Sequence, residues 1–295
     1  MDKRDWQILQ KLYKEKNITK VAESLFMSQP ALTKRIQQIE AEYKVTIVHR
    51  SKKGIQFTPQ GEYLVNYADE MIKRDIEVQD HLANMDDEIS GTLRLGVSSF
   101  ITRKIPPVLK EFKSRHPKVN FSLTSKWSSQ IFNQVYNHEI HIGFVRGDYK
   151  WIGGKRLLLE ENLSLVSHSK VDLEDLPTLP RIDYICDVKL QDMIDTWWSE
   201  NFSVPPKVGI KVDKTDTCRE MVAHDLGYAI MPSLVIKNTG NLYQLPLNDK
   251  DNNPITRHTW MFYNQDDYNL KLVKTFIEFM DEINFQDMIS KSKQA

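Results

Sequence analysis

Between Gly61 and Gly91 the chain holds neither glycine nor proline. There Leu64, Ala68, Met71, Val78, Leu82, Met85 and Ile89 follow steps of three and four, and only Asp75 breaks the series. This spacing puts a narrow apolar seam on one long helix, the pattern of a coiled coil. Such a helix divides the chain into a head before it and a body after it. The segment is also acidic. Residues 59–90 carry two Lys/Arg against nine Asp/Glu, whereas residues 1–58 carry twelve against six. The body is close to neutral, so the overall net charge of zero averages three unlike regions. A basic head suggests a polyanionic partner. The charged flanks of the seam favour pairing of two copies over packing on the helix's own domain. Asp75 then needs water or a cation, such as Lys73 or Arg74 of the second copy.

A length of 295 residues is that of about two domains, and 40% apolar residues suffice for real cores. No run approaches the ~18 apolar residues of a membrane span. The first residues, Met1 to Trp6, are charged and no apolar stretch follows, so no secretory signal is expected. Cys186 and Cys218 form no CxxC motif and read as reduced thiols of a cytoplasmic protein.

In the head, Asp5–Lys16 places Ile8, Leu9, Leu12 and Tyr13 on one helical face. Thr19–Phe26 predicts a second short helix, with Thr19 as its N-cap. Ser28 caps a third, with Pro30 in its first turn, running to about Tyr43. Ala31, Leu32, Ile36 and Ile39 face inward; Gln29, Thr33, Lys34, Gln37 and Gln38 face outward. Two short helices, a tight turn and a third helix with a polar, basic face match a helix-turn-helix whose third helix fits the major groove. Val45–Val48 and Ile55–Thr58 around Lys52-Lys53-Gly54 read as a basic hairpin that can lie along phosphates.

The ordered set Ala22-Glu23, Ser28-Gln29-Pro30-Ala31-Leu32-Thr33-Lys34-Arg35-Ile36, Ile39-Glu40, Arg50 and Thr58-Pro59-Gln60-Gly61 resembles the N-terminal winged helix-turn-helix of LysR-type transcriptional regulators. Lys44 stands where that family has a glycine, and Ile47-Val48 where it has Leu-Phe. The resemblance implies double-stranded DNA as partner, with Ser28, Gln29, Pro30, Thr33, Lys34, Arg35 and Gln38 at the groove and Arg50, Lys52 and Lys53 at the backbone. It also implies a homodimer or homotetramer on a roughly palindromic operator.

In the body, Thr92–Val97, Asn120–Lys126 and His141–Val145 are strands separated by helices around Pro106–Arg115 and Ser128–Asn137. The alternation reads as βαβαβ with a parallel sheet. Leu163–Ser167, Ile182–Ile185, Val208–Val212 and Tyr228–Met231, with helices Leu190–Asn201 and Thr217–Ala223, form a second such set. Thr256–Tyr263 is a late strand and Asn269–Phe285 a final amphipathic helix. Two α/β lobes leave a cleft at strand ends and helix N-termini, where Ser98, Ser99, Ser128, Ser129, Arg146, Thr215 and Arg257 gather. Hydroxyls and helix N-termini suit an anion, and either arginine can grip a carboxylate through two bonds.

Residues 91–285 are similar to the LysR-type effector domain, itself similar to periplasmic binding proteins. Leu93-Arg94-Leu95-Gly96, Arg146-Gly147 and Met221 to Pro232 carry that likeness, with Asp225 in the place of a glycine. Trp127-Ser128-Ser129, His141-Ile142-Gly143, Val212-Asp213 and Pro254-Ile255 with Arg257 resemble more narrowly the catabolite control protein C/E branch, which senses citrate. The resemblance implies a small carboxylate effector lined by Ser98, Ser99, Phe100, Ser128, Ser129, Arg146, Thr215 and Arg257. The expected fold is therefore α/β. It comprises a winged helix-turn-helix (1–58), a linker helix (59–90) and a two-lobed effector domain (91–295). Lobe I spans about 91–161 plus 265–295 and lobe II about 162–264.

Enzyme chemistry lacks its motifs: no Gly-x-Ser-x-Gly, GxGxxG or Walker loop occurs. Asp213 to Thr217 reads as a strand-to-helix turn. His138 and His141 have no evident third ligand, so no metal and no cofactor is expected. A binding protein without regulatory role, or a hydrolase using Ser98 or Cys218, are the alternatives.

Overall fold

The computed structural model describes residues 1–51, 54–85, 88–99, 101–236, 242–283 and 285, with Arg50 and Ser51 described by backbone alone. The chain forms two compact units, residues 1–87 and 88–295.

In the first unit, α1 (Lys3–Glu15) starts at Asp2, whose carboxylate accepts from the Arg4 and Asp5 amides. Helix α2 (Ile18–Ser24) is capped by Asn17 rather than by Thr19, two residues earlier than the sequence suggests. The earlier start buries Ile18 in the core. Helix α3 (Gln29–Tyr43) follows Ser28 and ends on Lys44, which adopts the left-handed backbone that glycine favours. Strands β1 (Val48–Ser51) and β2 (Gly54–Phe57) pair antiparallel, pairing Val48 with Phe57 and Ser51 with Gly54. The hairpin starts at Val48, because Ile47 is held in the core and its amide donates to Glu40 Oε1 at 2.7 Å. Thr58 caps α4 (Pro59–Asn84), accepting from the Gly61 amide at 2.9 Å. A Cβ at Gly61 would collide with the Ile47 carbonyl, so only glycine lets α4 pass this close.

Helix α4 does two jobs. Leu64, Val65 and Ala68 are buried with Ile8, Leu9 and Leu12 of α1 in the head's core. The seam beyond them is open, with Val78 49% and Leu82 60% exposed. The predicted seam therefore divides: its first residues pack on their own domain. Ile89 leaves it altogether and packs against the core of the second unit. Asp75 is paired with Lys3 of its own chain, and Gln79 donates to it at 2.9 Å.

The second unit opens with β3 (Gly91–Ser98), a 3-10 turn at Ile101–Arg103, α5 (Ile105–Arg115), β4 (Val119–Lys126), α6 (Ser128–Tyr136) and β5 (Ile142–Arg146). Strands β4 and β5 flank β3 in parallel, as the alternation predicts. Next comes β6 (Gly154–Ser167), a 14-residue strand. A second set follows: β7 (Arg181–Tyr184), α7 (Val188–Asn201), β8 (Val208–Val212), α8 (Thr215–Ala223), β9 (Ala229–Pro232), α9 (Ser233–Ile236) and β10 (Tyr243–Pro246). The chain returns through β11 (Thr256–Tyr263) to α10 (Gln265–Tyr268) and α11 (Lys271–Glu282).

The main sheet is mixed, in order β10-β6-β11-β5-β3-β4, with β9 also on β6, while β7 and β8 form a parallel pair. It departs from the all-parallel expectation because β6 leaves one lobe and β11 returns to it, so the two run antiparallel. Strand β11 pairs with β6 along its whole length and with β5 over Thr259–Tyr263, and Met261 and Tyr263 join the first lobe's core. That core lies under α5 and α11, built from Leu93, Leu95, Val97, Phe112, Phe144, Phe276 and Ile277. The second core gathers Leu163, Leu165, Ile182, Trp197, Trp198, Val222, Tyr228 and Ile230. Among the described residues no helix is long and apolar enough to cross a membrane.

Candidate functional site

The exposed face of α3 is built by capping and core packing together. The Ser28 hydroxyl accepts from the Ala31 amide at 3.3 Å, and Leu32, Ile36 and Ile39 anchor the opposite face. Gln29, Pro30, Lys34, Gln37 and Gln38 stand in solvent. These are side chains that can meet base edges and phosphates. Two residues expected at the groove are engaged or covered within the unit. Arg35 turns back into the head, where Nε and Nη2 grip the buried Asp5 carboxylate at 2.5 and 2.7 Å. Its Nη1 donates to Gln38 Oε1 at 3.2 Å, so every guanidinium nitrogen is engaged within the unit. Burial would raise the Asp5 carboxyl, but the hydrogen bonds and charge of Arg35 hold it below its ordinary value. Thr33 is half-buried and its hydroxyl is covered, so it does not present a donor to the outside. Lys52 and Lys53 lie outside the described residues, and Arg50 sits in β1 opposite Ile55.

In the second unit the carboxyl ends of β3, β5, β7 and β8 and the starts of α6, α7 and α8 surround a cavity of about 710 Å³. Parallel strands with covering helices place a cleft there. Ser98, Ser99, Ser128, Arg146, Thr215 and Arg257 all line it, as expected from the sequence. Ser129 does not: one residue further along α6 it points to solvent. Phe100 lies outside the described residues. The Ser128 hydroxyl accepts from the Arg146 amide at 3.3 Å, tying the start of α6 to the end of β5.

Both cavity arginines are buried and already paired, Arg146 with Glu161 of β6 and Arg257 with Asp187 at the start of α7. Burial lowers the Arg146 pKa, Glu161 opposes that shift, and nearby Arg257 adds to it. The cavity also exposes Arg103, Lys104, Lys214 and Arg219 against Asp213 and Asp216, so cations outnumber acids on its wall. Burial pushes the Cys186 thiol up to about 12, with Asp187 adding to it, and burial pushes Cys218 to about 12 as well. Neither is a thiolate near neutral pH, and a thiol is a poor nucleophile. Tyr184 is pushed well up by burial, and its hydroxyl donates to the Ile230 carbonyl at 3.1 Å. Among the described residues no cluster of His, Cys, Asp and Glu is arranged to hold a metal ion.

The sequence reading missed Glu161 and Asp187. Asp187 caps α7, its Oδ1 accepting from the Leu190 amide at 3.1 Å. Its second role depends on an arginine 70 residues away. The Asp213–Thr217 turn is the start of α8, with Lys214 as its N-cap.

Residues 4–62 match the bacterial regulatory helix-turn-helix protein, lysR family, and residues 86–283 match the LysR substrate binding domain. The uncharacterized HTH-type transcriptional regulator YraN of Bacillus subtilis (strain 168) is 38% identical, over 95% of this chain and 97% of its own. YkuM of the same organism is 34% identical, over 97% and 99%. Among solved structures, full-length CbnR complexed with target DNA superposes with a TM-score of 0.65 at 16% identity, covering 96% of this chain and 99% of that one. The Vibrio cholerae virulence activator AphB gives 0.63 at 16% identity, over 96% and 100%. The helix-turn-helix and the two-lobed domain thus occur here in the same order as in those proteins. The chain belongs to the LysR family of DNA-binding transcriptional regulators, whose members are not enzymes, and carries that family's substrate-binding domain.

Proposed function

We propose that this regulator acts in the cytoplasm as a multimer, a homodimer or homotetramer, and answers to a small carboxylate bound between its effector lobes. The observation that carries the reading is the pair of buried arginines, Arg146 and Arg257, set beside Ser98 and Ser128 on a cavity wall where cations are in excess. Guanidinium forks and hydroxyls at helix starts recognise carboxylates by charge and by shape. Citrate, the acid named by the sequence resemblance, is the first to test. The mouth cations Lys104, Lys214 and Arg219 suit an acid with more than one carboxylate. In the head, Gln29, Pro30, Lys34 and Gln38 would read a half-site. The open seam around Val78, Leu82 and Met85 would bring two heads to a roughly palindromic operator.

Effector binding would shift the protein between arrangements by binding one better than the other. Thermal unfolding of the full chain with citrate, succinate, malate and acetate tests the pocket. A ligand at 100-fold over its Kd adds about 2.7 kcal/mol. Stabilisation by one acid, lost in R257A, supports the reading. A stabilisation that survives R257A removes Arg257 from the site.

A further inference from the structure

The charges around the cavity fall into two tiers. Deep in it stand two ion pairs, Arg146–Glu161 and Arg257–Asp187, together neutral. The more exposed wall holds Arg103, Lys104, Lys214 and Arg219 against Asp213 and Asp216. The two deep pairs differ in kind. Glu161 is fully buried behind the wall, and its second oxygen accepts from the Leu234 amide at 3.3 Å. Asp187 lies on the wall itself and its side chain is 11% exposed. It divides its oxygens, one capping α7 at Leu190 and one accepting from Nη2 of Arg257.

That division leaves Arg257 half satisfied. The side chain is 1% exposed, and its Nε has no hydrogen-bond partner. The Ser98 hydroxyl, also buried and on the same wall, has none either. A buried polar group without a partner is costly, and a guanidinium fork is best met by two parallel bonds from one carboxylate. Asp187 cannot supply both while it caps the helix.

We propose that Asp187 stands in for the effector's carboxylate, and that the effector binds by displacing it. This rests on the reading that the cleft takes a carboxylate. The incoming group takes Nη2 and Nε of Arg257 together and accepts from the Ser98 hydroxyl. Asp187 keeps its bond to the Leu190 amide and swings its other oxygen toward the mouth. No proton or covalent bond changes hands. The exchange selects for anions that offer two oxygens side by side, because a single-point anion satisfies Arg257 no better than Asp187 does.

The test compares the full chain with its D187N and D187S variants in titrations with citrate, acetate and chloride, followed by calorimetry and thermal unfolding. Asparagine and serine both cap helices well, so α7 is retained, and the second variant covers a failure of the first to fold. Citrate is expected to bind the variants at least tenfold more tightly than wild type, with a smaller gain for chloride, and R257A added to D187N abolishes the gain. Citrate binding by the variants alone also supports the exchange, and means that the natural effector competes better than citrate. Binding to wild type that is unchanged or weakened in both folded variants overturns the exchange and leaves the carboxylate cleft standing. If neither wild type nor variant takes citrate or acetate, both readings fall.

Discussion

Arg35 in the head and Arg257 in the body look alike in the sequence: each is an arginine at a position suited to grip an external anion. In the structure each is paired with a carboxylate of its own chain, yet the pairs differ. Asp5 is sealed among helices, takes both bonds of the Arg35 fork, and also accepts from the Asp2 amide at 2.8 Å. Asp187 faces a cavity and takes one bond. The first pair holds a fold together, and the second is the one proposed above to open to a ligand. The two pairs differ in where the partner's second oxygen goes: to the same arginine in one, to a helix start in the other.

The largest expected effect comes from taking the partly exposed Arg35 away from the buried Asp5 carboxylate. R35A leaves the Asp5 carboxylate buried without its cation, at about 3 kcal/mol to the head. Denaturant unfolding of R35A and of a D5N/R35M double variant measures it, and the double variant is expected to recover most of the loss. An R35A protein of normal stability that binds DNA weakly would put Arg35 back at the groove. Next is R257A, expected to cost effector-linked stabilisation of about 2.7 kcal/mol at 100-fold over Kd while the ligand-free Tm moves less than in R35A. Equal losses of ligand-free stability in the two variants would erase the distinction drawn between the pairs.

A smaller effect separates them by pH. The folded-state pKa of Asp5 is depressed, so its stabilising contribution is present above the ordinary carboxylate value of about 3.9 and is lost as pH falls through the lower folded value. Acid unfolding of the head should therefore flatten in D5N between about pH 4 and lower values, read by circular dichroism. A wild-type profile in D5N would show that the pair contributes nothing there. The smallest change concerns Lys34, which is exposed on α3. K34A should lower the slope of log affinity against log salt by about 0.9, a single phosphate contact, with the fold unaffected. An unchanged slope would move Lys34 off the phosphates.

How much of this was legible differs between the same two regions. The head's third helix announced itself through local chemistry, Ser28 before Pro30 being a cap that acts within three residues, whereas the Asn17 cap of α2 and the Thr58 cap of α4 were not read. The body's strands were legible where β-branched residues dominate, as in β5 and β8. The first half of β6, Lys155 to Asn162, was not read as a strand, because Arg, Leu and Glu in succession favour a helix and only its pairing with β11 makes it extended. The cavity's serines and Arg146 were readable from their places at strand ends, and Arg257 from its place early in a late strand. Their neutralising partners were not, since Glu161 and Asp187 meet them across 15 and 70 residues. Arg35 misled for the same reason, its partner lying 30 residues back.

The β6–β11 ladder carries one irregularity, a shift of register between Thr259 and Trp260 that leaves Leu158 unmatched. An extra residue bends a strand and interrupts its ladder locally. Strand β6 gives Leu159 to the first core and Leu163 and Leu165 to the second, so the interruption lies on the strand that passes from one lobe to the other. Arg257 and Glu161 sit two and three residues from it. The two ion pairs of the cavity are thus anchored beside the place where this ladder loses its register, and the backbone there is held by fewer cross-strand bonds than on either side.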